Sequence, residues 1–229
     1  MRICILTIAT NKYINFVQSL YDNIEDKFLP KVEKQCLLFT NHTCESSSNV
    51  KISQIDHESW PIPTLKRYNY FIKEQDFISQ FDYCFYFDVD MRIDSIVGEE
   101  VLGDLVATKH FYKINESPEQ FSYERNPSSL AYVSFGEGKS YYAGGFNGGK
   151  TSEFLKMSQV IADRVNKDLE NNIVALWHDE SHINRYMIDN PPTLELSPEY
   201  CYPEPELGKY PQHNPKIIAL LKNHNALRT

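Results

Sequence analysis

The sequence predicts an α/β fold, a mainly parallel sheet flanked by helices, and three observations carry the prediction. Ile3 to Ile8 is a nearly continuous apolar run with β-branched residues, the pattern of a strand buried on both faces. A second core-like run, Tyr83-Cys84-Phe85-Tyr86-Phe87, ends abruptly in Asp88-Val89-Asp90. Between the two runs, helical stripes and short strand-like runs follow one another in the order β-α-β-β-α-β.

The elements follow in order. After the first strand, Tyr13, Phe16, Val17, Leu20, Tyr21 and Ile24 recur at helical spacing, and Pro30 ends that region. Gln35 to Thr40 reads as a second strand and Val50 to Gln54 as a weaker third. Pro61 and Pro63 open a segment in which Leu65, Tyr68, Phe71 and Ile72 form a helical stripe. Residues 112 to 140 are polar and rich in turn residues, the character of a functional loop. Thr151 is positioned to cap a helix carrying Phe154, Met157, Ile161, Val165 and Leu169. Another helix starts near Asp179, with Ile183, Tyr186 and Met187 on one face, and Pro191-Pro192 stops it. No repeat or low-complexity linker interrupts the chain, so residues 1–229 read as one catalytic domain.

Composition narrows the function classes. The chain has 229 residues, of which 41% are hydrophobic and 24% charged, as in ordinary soluble globular proteins. A formal charge of -8 argues against a broad nucleic-acid surface. The five cysteines form no C-x-x-C pair, which argues against a zinc site or a disulfide framework and for free thiols in a reducing compartment. No stretch is long enough to span a membrane, and the apolar start reads as a strand rather than a signal peptide. The expectation is a soluble, cytoplasmic protein.

Four segments carry candidate chemistry. In an extended chain Asp88 and Asp90 project to one side, with Val89 opposite. Carboxylates are hard ligands suited to Mg²⁺ or Mn²⁺, and the end of a buried strand is where open α/β sheets bind ligands. A strand followed by a polar turn is the simpler alternative. Tyr141-Tyr142-Ala143-Gly144-Gly145-Phe146-Asn147-Gly148-Gly149 allows close approach of backbone to ligand, and Ala143 and Gly145 leave room for a bulky group. It matches neither a Walker loop nor a dinucleotide fingerprint, and a pair of tight turns around a strand is the other reading. In Trp177-His178-Asp179-Glu180-Ser181-His182, Asp179 suits a helix N-cap. A carboxylate there also suits a nucleophile or a partner for a developing oxocarbenium centre. The cations Lys222, His224 and Arg228 end an otherwise acidic chain, either as a solvated terminus or as a lid over a diphosphate.

Taken together and in this order, the segments resemble glycosyltransferase family 6, which includes the histo-blood-group A and B transferases and the α-1,3-galactosyltransferases. The matching pieces are Phe87-Asp88-Val89-Asp90-Met91, Phe121-Ser122-Tyr123-Glu124-Arg125, Tyr141 to Phe146, Trp177 to Asn184, Leu196-Ser197-Pro198-Glu199-Tyr200 and Lys222 to Arg228. The resemblance covers the chain from about Tyr13 to the end, and the block from Trp177 to Asn184 is the most specific.

It implies a GT-A fold, Rossmann-like, and a metal-dependent, retaining transfer from a UDP-sugar. By similarity, Asp88 and Asp90, with Val89 between them, hold Mn²⁺ (or Mg²⁺) on the UDP diphosphate. Ala9, Thr10 and Tyr13 fall where the family grips uridine, and Arg67 matches a donor-sugar contact. Ala143 and Gly145, flanking Gly144, occupy positions that help choose the donor, and a glycine at the second favours UDP-GalNAc over UDP-Gal. Trp177 and His178 resemble acceptor or donor-sugar contacts, and Asp179 a ligand of a donor hydroxyl. Glu180 resembles the nucleophile, or the electrostatic support if departure and attack share one face. Lys222 and Arg228 match the cations that close on the diphosphate. Asn115 stands in the acceptor loop where blood-group enzymes carry a histidine.

The chain starts near the first catalytic strand, without the cytoplasmic tail, membrane anchor and stem of the Golgi members, and so resembles the short bacterial or phage-borne ones. Some bacterial members replace the D-x-D acids with neutral residues, whereas this chain keeps both. The implied partners are a UDP-sugar donor and a galactoside acceptor, with no nucleic acid and no membrane anchor. A non-catalytic sugar-nucleotide or glycan-binding protein on the same scaffold is the competing class, distinguished by releasing no UDP with any acceptor. A metal-dependent nucleotidyltransferase would instead release pyrophosphate, and no evident triphosphate loop supports it.

Overall fold

The computed structural model describes residues 1–44 and 46–227. In chain order the strands are β1 (Arg2–Ile8), β2 (Glu33–Thr40), β3 (Val50–Gln54), β4 (Tyr83–Phe87), β5 (Met91–Ile93), β6 (Leu105–Lys109), β7 (Tyr142–Lys150), β8 (Leu194–Leu196), β9 (Tyr202–Pro203) and β10 (Ile217–Ala219). The α-helices are α1 (Val17–Lys27), α2 (Ile62–Leu65), α3 (Arg67–Lys73), α4 (Gln75–Ile78), α5 (Thr151–Glu170), α6 (His178–Asp189) and α7 (His224–Leu227). Seven strands form one sheet in the order β3-β2-β1-β4-β7-β6-β8, and β5-β10-β9 form a small second sheet. Within the large sheet β7 alone runs against its neighbours, pairing antiparallel with both β4 and β6.

The apolar runs are explained by burial on both faces. Cys4, Leu6, Cys84 and Tyr86 face a core built with Tyr68, Phe71, Phe154, Met157, Ile161 and Ile183. Their alternates, Ile3, Ile5, Phe85 and Phe87, face the opposite core with Leu20, Ile24, Phe28, Met91 and Ile217. Period-two alternation sends successive side chains to opposite layers, so a strand covered on both sides carries no polar positions. Phe28 stands edge-on to Phe85 and Phe87, with ring centroids 5.3 and 5.1 Å away. This packing holds the end of β4 from which Asp88 emerges.

The glycine-rich segment is a single buried strand, not two turns around one. β4 and β7 approach too closely for side chains at every position. A Cβ on Gly148 would lie 2.5 Å from the Cys84 carbonyl oxygen and collide with the Phe85 ring. Gly148→Ala is therefore expected to lower stability by about 1–3 kcal/mol, the usual range for overpacking. A urea titration checks this, and an unchanged midpoint would count against the packing described.

Both predicted helix caps fail. The Thr151 and Asp179 side chains form no cap hydrogen bond; Lys150 and Trp177 hold the cap positions, and Asp179 lies inside the first turn of α6. No helix of the described residues is long and apolar enough to cross a membrane.

The segment from 112 to 140 is irregular, as expected, but firmly anchored. Buried Asp168 on α5 accepts from the Ser129 hydroxyl at 2.6 Å and the Leu130 amide at 2.9 Å. His182 on α6 lies fully buried, 3.7 Å from the same carboxylate. Burial, helped by Arg164 and opposed by Asp168, lowers the His182 pKa to about 4. The unfolded ring titrates near 6.5. Between these values the unfolded chain binds more protons, so stability falls as pH drops through that window. His182→Gln is expected to flatten the fall between pH 6.5 and about 4, read by thermal melts across the range; parallel curves for both proteins would exclude His182 as the cause.

Candidate active site

The site is built where β7 bulges. Ala107 of β6 pairs with Asn147 and the next residue, Thr108, pairs with Ala143. The β7 residues between lack partners on β6, so their backbone groups serve side chains instead. The Gly144 amide donates to Glu180 Oε2 at 2.8 Å. Its carbonyl accepts from Arg67 Nη1 at 2.9 Å and Asn147 Nδ2 at 3.2 Å. The Gly145 carbonyl accepts from the Asp88 amide at 2.9 Å, tying the carboxylate turn to the bulge.

Arg67, on α3 and only 4% exposed, joins the acids. Its Nη2 lies 3.3 Å from Asp88 Oδ1, and its Nε lies 3.1 Å from Asp179 Oδ2 as an ion pair without directed hydrogen-bond geometry. Its guanidinium stacks over the Tyr86 ring, 4.2 Å from the centroid. Burial works against this charge, and Asp179, Tyr86 and Asp88 outweigh it, so the guanidinium stays protonated. Asp179 is buried, and that burial raises its carboxyl to about 7 despite Arg67, with Asp88 and Glu180 adding to the rise.

Glu180 is held at both oxygens, by the Gly144 amide and by the Tyr141 hydroxyl at 2.9 Å from Oε1. Tyr141 is pushed up, by burial first and then by Glu180. The His110 ring stands edge-on to Tyr141 at 5.7 Å. Burial lowers the His110 pKa, partly opposed by Glu180.

Asp88 and Asp90 both reach the adjoining cleft, although Val89 and Asp90 form a turn rather than extended strand. Asp88 Oδ1 accepts from the Tyr86 hydroxyl at 2.6 Å. Buried Asp90 pairs with the Lys222 ammonium. The cleft encloses about 270 Å³ and is lined by Thr10, Tyr13, Arg67, Asp88, Val89, Asp90 and Lys222, together with Asn11, His57, Glu58, Trp60 and Leu227. Ala9 is buried beside it and donates its amide to Phe39. The loop that carries Thr10 and Tyr13 is set by Asn11, at φ 48°, whose amide donates to Asn41 Oδ1 at 2.8 Å.

Ala143, Gly144, Gly145 and the block from Trp177 to Glu180 lie outside that wall, and Arg67 links the two groups. Trp177 is half exposed, and His178, held at φ 52°, stands edge-on to Trp60 with ring centroids 4.8 Å apart. Asn115 is exposed in the irregular segment. Arg228 lies outside the described residues. Gly145 does not open onto empty space: a Cβ there would meet Met91 Cε at 2.6 Å, Asp88 Oδ2 at 3.1 Å and Cys201 Sγ at 3.2 Å.

His110 and Asn11 lie outside the segments that the sequence marks, and Tyr141 heads the glycine segment without a role of its own there. A tyrosine beside a glycine run and a lone histidine after a strand carry no signal without knowledge of what they face. The Asn41 side chain orders the cleft loop through Asn11.

The two carboxylates fit a divalent cation. Their oxygens are hard donors, and Asp90 already holds a positive charge, the ammonium of Lys222. Among the described residues no cluster of three or more His, Cys, Asp or Glu stands where it could hold a metal ion.

The sequence model of glycosyltransferase family 6 matches residues 1–229. The histo-blood group ABO system transferase 1 of Rattus norvegicus is 33% identical, over 96% of this chain and 66% of its own length. The O-antigen biosynthesis glycosyltransferase WbnI of Escherichia coli is 32% identical, over 89% of each chain. The globoside alpha-1,3-N-acetylgalactosaminyltransferase 1 of Homo sapiens is 31% identical, over 88% of this chain and 61% of its own length. The chain thus spans roughly two thirds of the mammalian relatives and most of the bacterial one. With a match along its whole length, and with the carboxylate turn, the glycine strand and the tryptophan-to-glutamate block around one bulge, the chain belongs to glycosyltransferase family 6.

Proposed function

We propose that this chain transfers a hexosyl group, GalNAc in preference to Gal, from UDP to the 3-hydroxyl of a galactoside, fucosylated or not, with retention at the anomeric carbon. The carrying observation is the continuity from cleft to bulge. Arg67 connects a cleft walled by an aromatic, two carboxylates and a lysine to a glutamate whose two oxygens are fixed. That is the arrangement a nucleotide diphosphate ending in a reactive sugar requires. The α-1,3-N-acetylgalactosaminyl transfer named for the globoside relative supports the α-1,3 linkage and the GalNAc donor.

In this reading Tyr13 packs against the base. Asp88 and Asp90 would hold Mn²⁺ or Mg²⁺, which when bound offsets the charge that develops on the departing diphosphate. Lys222, now on Asp90, adds a second cation at the same end. Asp179 accepts from a donor hydroxyl. Glu180, held in place by Tyr141 and Gly144, faces the anomeric carbon as its positive character grows, whether by bonding to it or by supporting attack on the same face. Trp177 and His178 offer the acceptor an aromatic wall. The test is a UDP-release assay crossing UDP-GalNAc, UDP-Gal and UDP-Glc with several galactosides, with and without Mn²⁺. Metal-dependent release with the galactosyl donors supports the reading, and equal rates without metal contradict the role of the aspartates.

A further inference from the structure

The geometry points to Glu124 as a positioning residue that holds the turn before α6, and with it Glu180, in place for transfer. The inference rests on the role proposed above for Glu180. It gives a task to the Phe121-Ser122-Tyr123-Glu124-Arg125 segment, which the sequence marks without assigning it one. Glu124 is buried, and both of its oxygens accept from backbone amides. Oε1 accepts from Asn126 at 2.7 Å, within its own turn. Oε2 accepts from Leu176 at 2.6 Å, 52 residues away, in the turn that opens α6. The next two amides of that turn are also held, Trp177 by the Ser181 hydroxyl at 3.0 Å and His178 by the Ala175 carbonyl at 2.9 Å. Of these three bonds, the one to Glu124 alone leaves the local chain.

The turn needs such a tie. His178 sits at φ 52°, a left-handed conformation that a residue with a Cβ keeps only where its surroundings over-determine it. Glu180 follows two residues later, and its own amide donates to the Trp177 carbonyl at 3.0 Å. A shift of the turn therefore moves the backbone that carries the carboxylate. The same segment braces the other side of Glu180. Tyr123 packs on Tyr141, with ring centroids 5.4 Å apart, and its hydroxyl donates to the Ser140 carbonyl at 2.7 Å. Tyr141 in turn donates to Glu180. Adjacent residues of one segment thus support Glu180 through its helix and through its hydroxyl donor. A glutamate suits the position because each of its two oxygens meets an N–H, whereas a glutamine offers one acceptor oxygen.

The experiment is a double-mutant cycle on Glu124 and Glu180. It measures kcat for UDP release from UDP-GalNAc with a galactoside and Mn²⁺, and Kd for UDP by calorimetry. Glu124→Gln is expected to lower kcat by about 10–10²-fold, the scale of a reacting group displaced by about 1 Å. UDP affinity is expected to stay within about twofold, because Glu124 does not line the cleft. In the Glu180→Gln background the same substitution is expected to change kcat by less than about threefold, since the group it positions is already lost. A merely structural role acts alike in both backgrounds, so an equal fall in each overturns the proposal, as does an unchanged kcat in Glu124→Gln. Glu124→Asp, which keeps both acceptor oxygens on a shorter arm, is read in the same cycle if the glutamine variant fails to fold. If Glu180→Gln alone leaves kcat unchanged, the role of Glu180 itself fails, and this proposal fails with it.

Discussion

Replacing Glu180 with glutamine is expected to cut turnover by about 10²–10³-fold while UDP affinity stays nearly unchanged. The geometry gives the reason. Glutamine keeps the shape that spans Gly144 and Tyr141 and can still pair with both. What it loses is the negative charge fixed by two donors. That charge has its greatest value when the anomeric carbon turns cationic and little value for binding the nucleotide, so the loss falls on kcat. Steady-state kinetics alongside UDP calorimetry reads the split. Unchanged turnover would remove Glu180 from the chemistry, and a parallel fall in UDP affinity would mean that it acts on the ground state.

The second large effect is expected at Arg67. Its two acidic partners differ in solvent access: the Asp88 side chain is 37% exposed and that of Asp179 is 2% exposed. Water screens the first and not the second. At a pH well above 7, where the raised Asp179 carboxyl is ionised, removing the guanidinium strands that buried charge, and at any pH it releases the Gly144 carbonyl. Arg67→Ala should therefore destabilise the fold by about 3–5 kcal/mol and abolish measurable transfer. The double variant Arg67→Met with Asp179→Asn removes both charges and should recover much of the stability without recovering activity, because Asp88 and Gly144 remain unsupported. Urea midpoints for the single and double variants test this. A double variant no more stable than Arg67→Ala would place the loss elsewhere in the Arg67 network.

The frame of this fold is legible in the sequence because burial on both faces leaves a local mark. Ile3 to Ile8 and Tyr83 to Phe87 have no polar alternation to disguise them, and each is found as a strand at the expected place. The carboxylate turn and the tryptophan-to-glutamate block are equally plain, since charged residues packed beside apolar runs have few structural uses. The glycine strand is hidden for a physical reason. Its shape is dictated by Phe85 and Cys84 on the neighbouring strand, and bare glycines read locally as turns. The same holds for the joints of the site. Arg67 meets Gly144 across 77 residues, and Tyr141 meets Glu180 across 39. No local propensity encodes such meetings. Asp179 shows the confusion most clearly: an acid near a helix start is a natural cap, yet here it turns inward to a buried arginine.

The bulge at Gly144 unites these features. It withholds one amide and one carbonyl from the sheet and gives them to a glutamate and an arginine that answer to opposite ends of the proposed donor. In the proposed function the donor sugar lies along this stretch of strand and is transferred with its configuration kept. The most direct measurement is proton NMR of the product formed from UDP-GalNAc and a galactoside in the presence of Mn²⁺, taken before any secondary reaction. The account predicts an α-linked GalNAc on the 3-hydroxyl, formed in step with UDP. A β-linked product, or no product from either galactosyl donor, would contradict it.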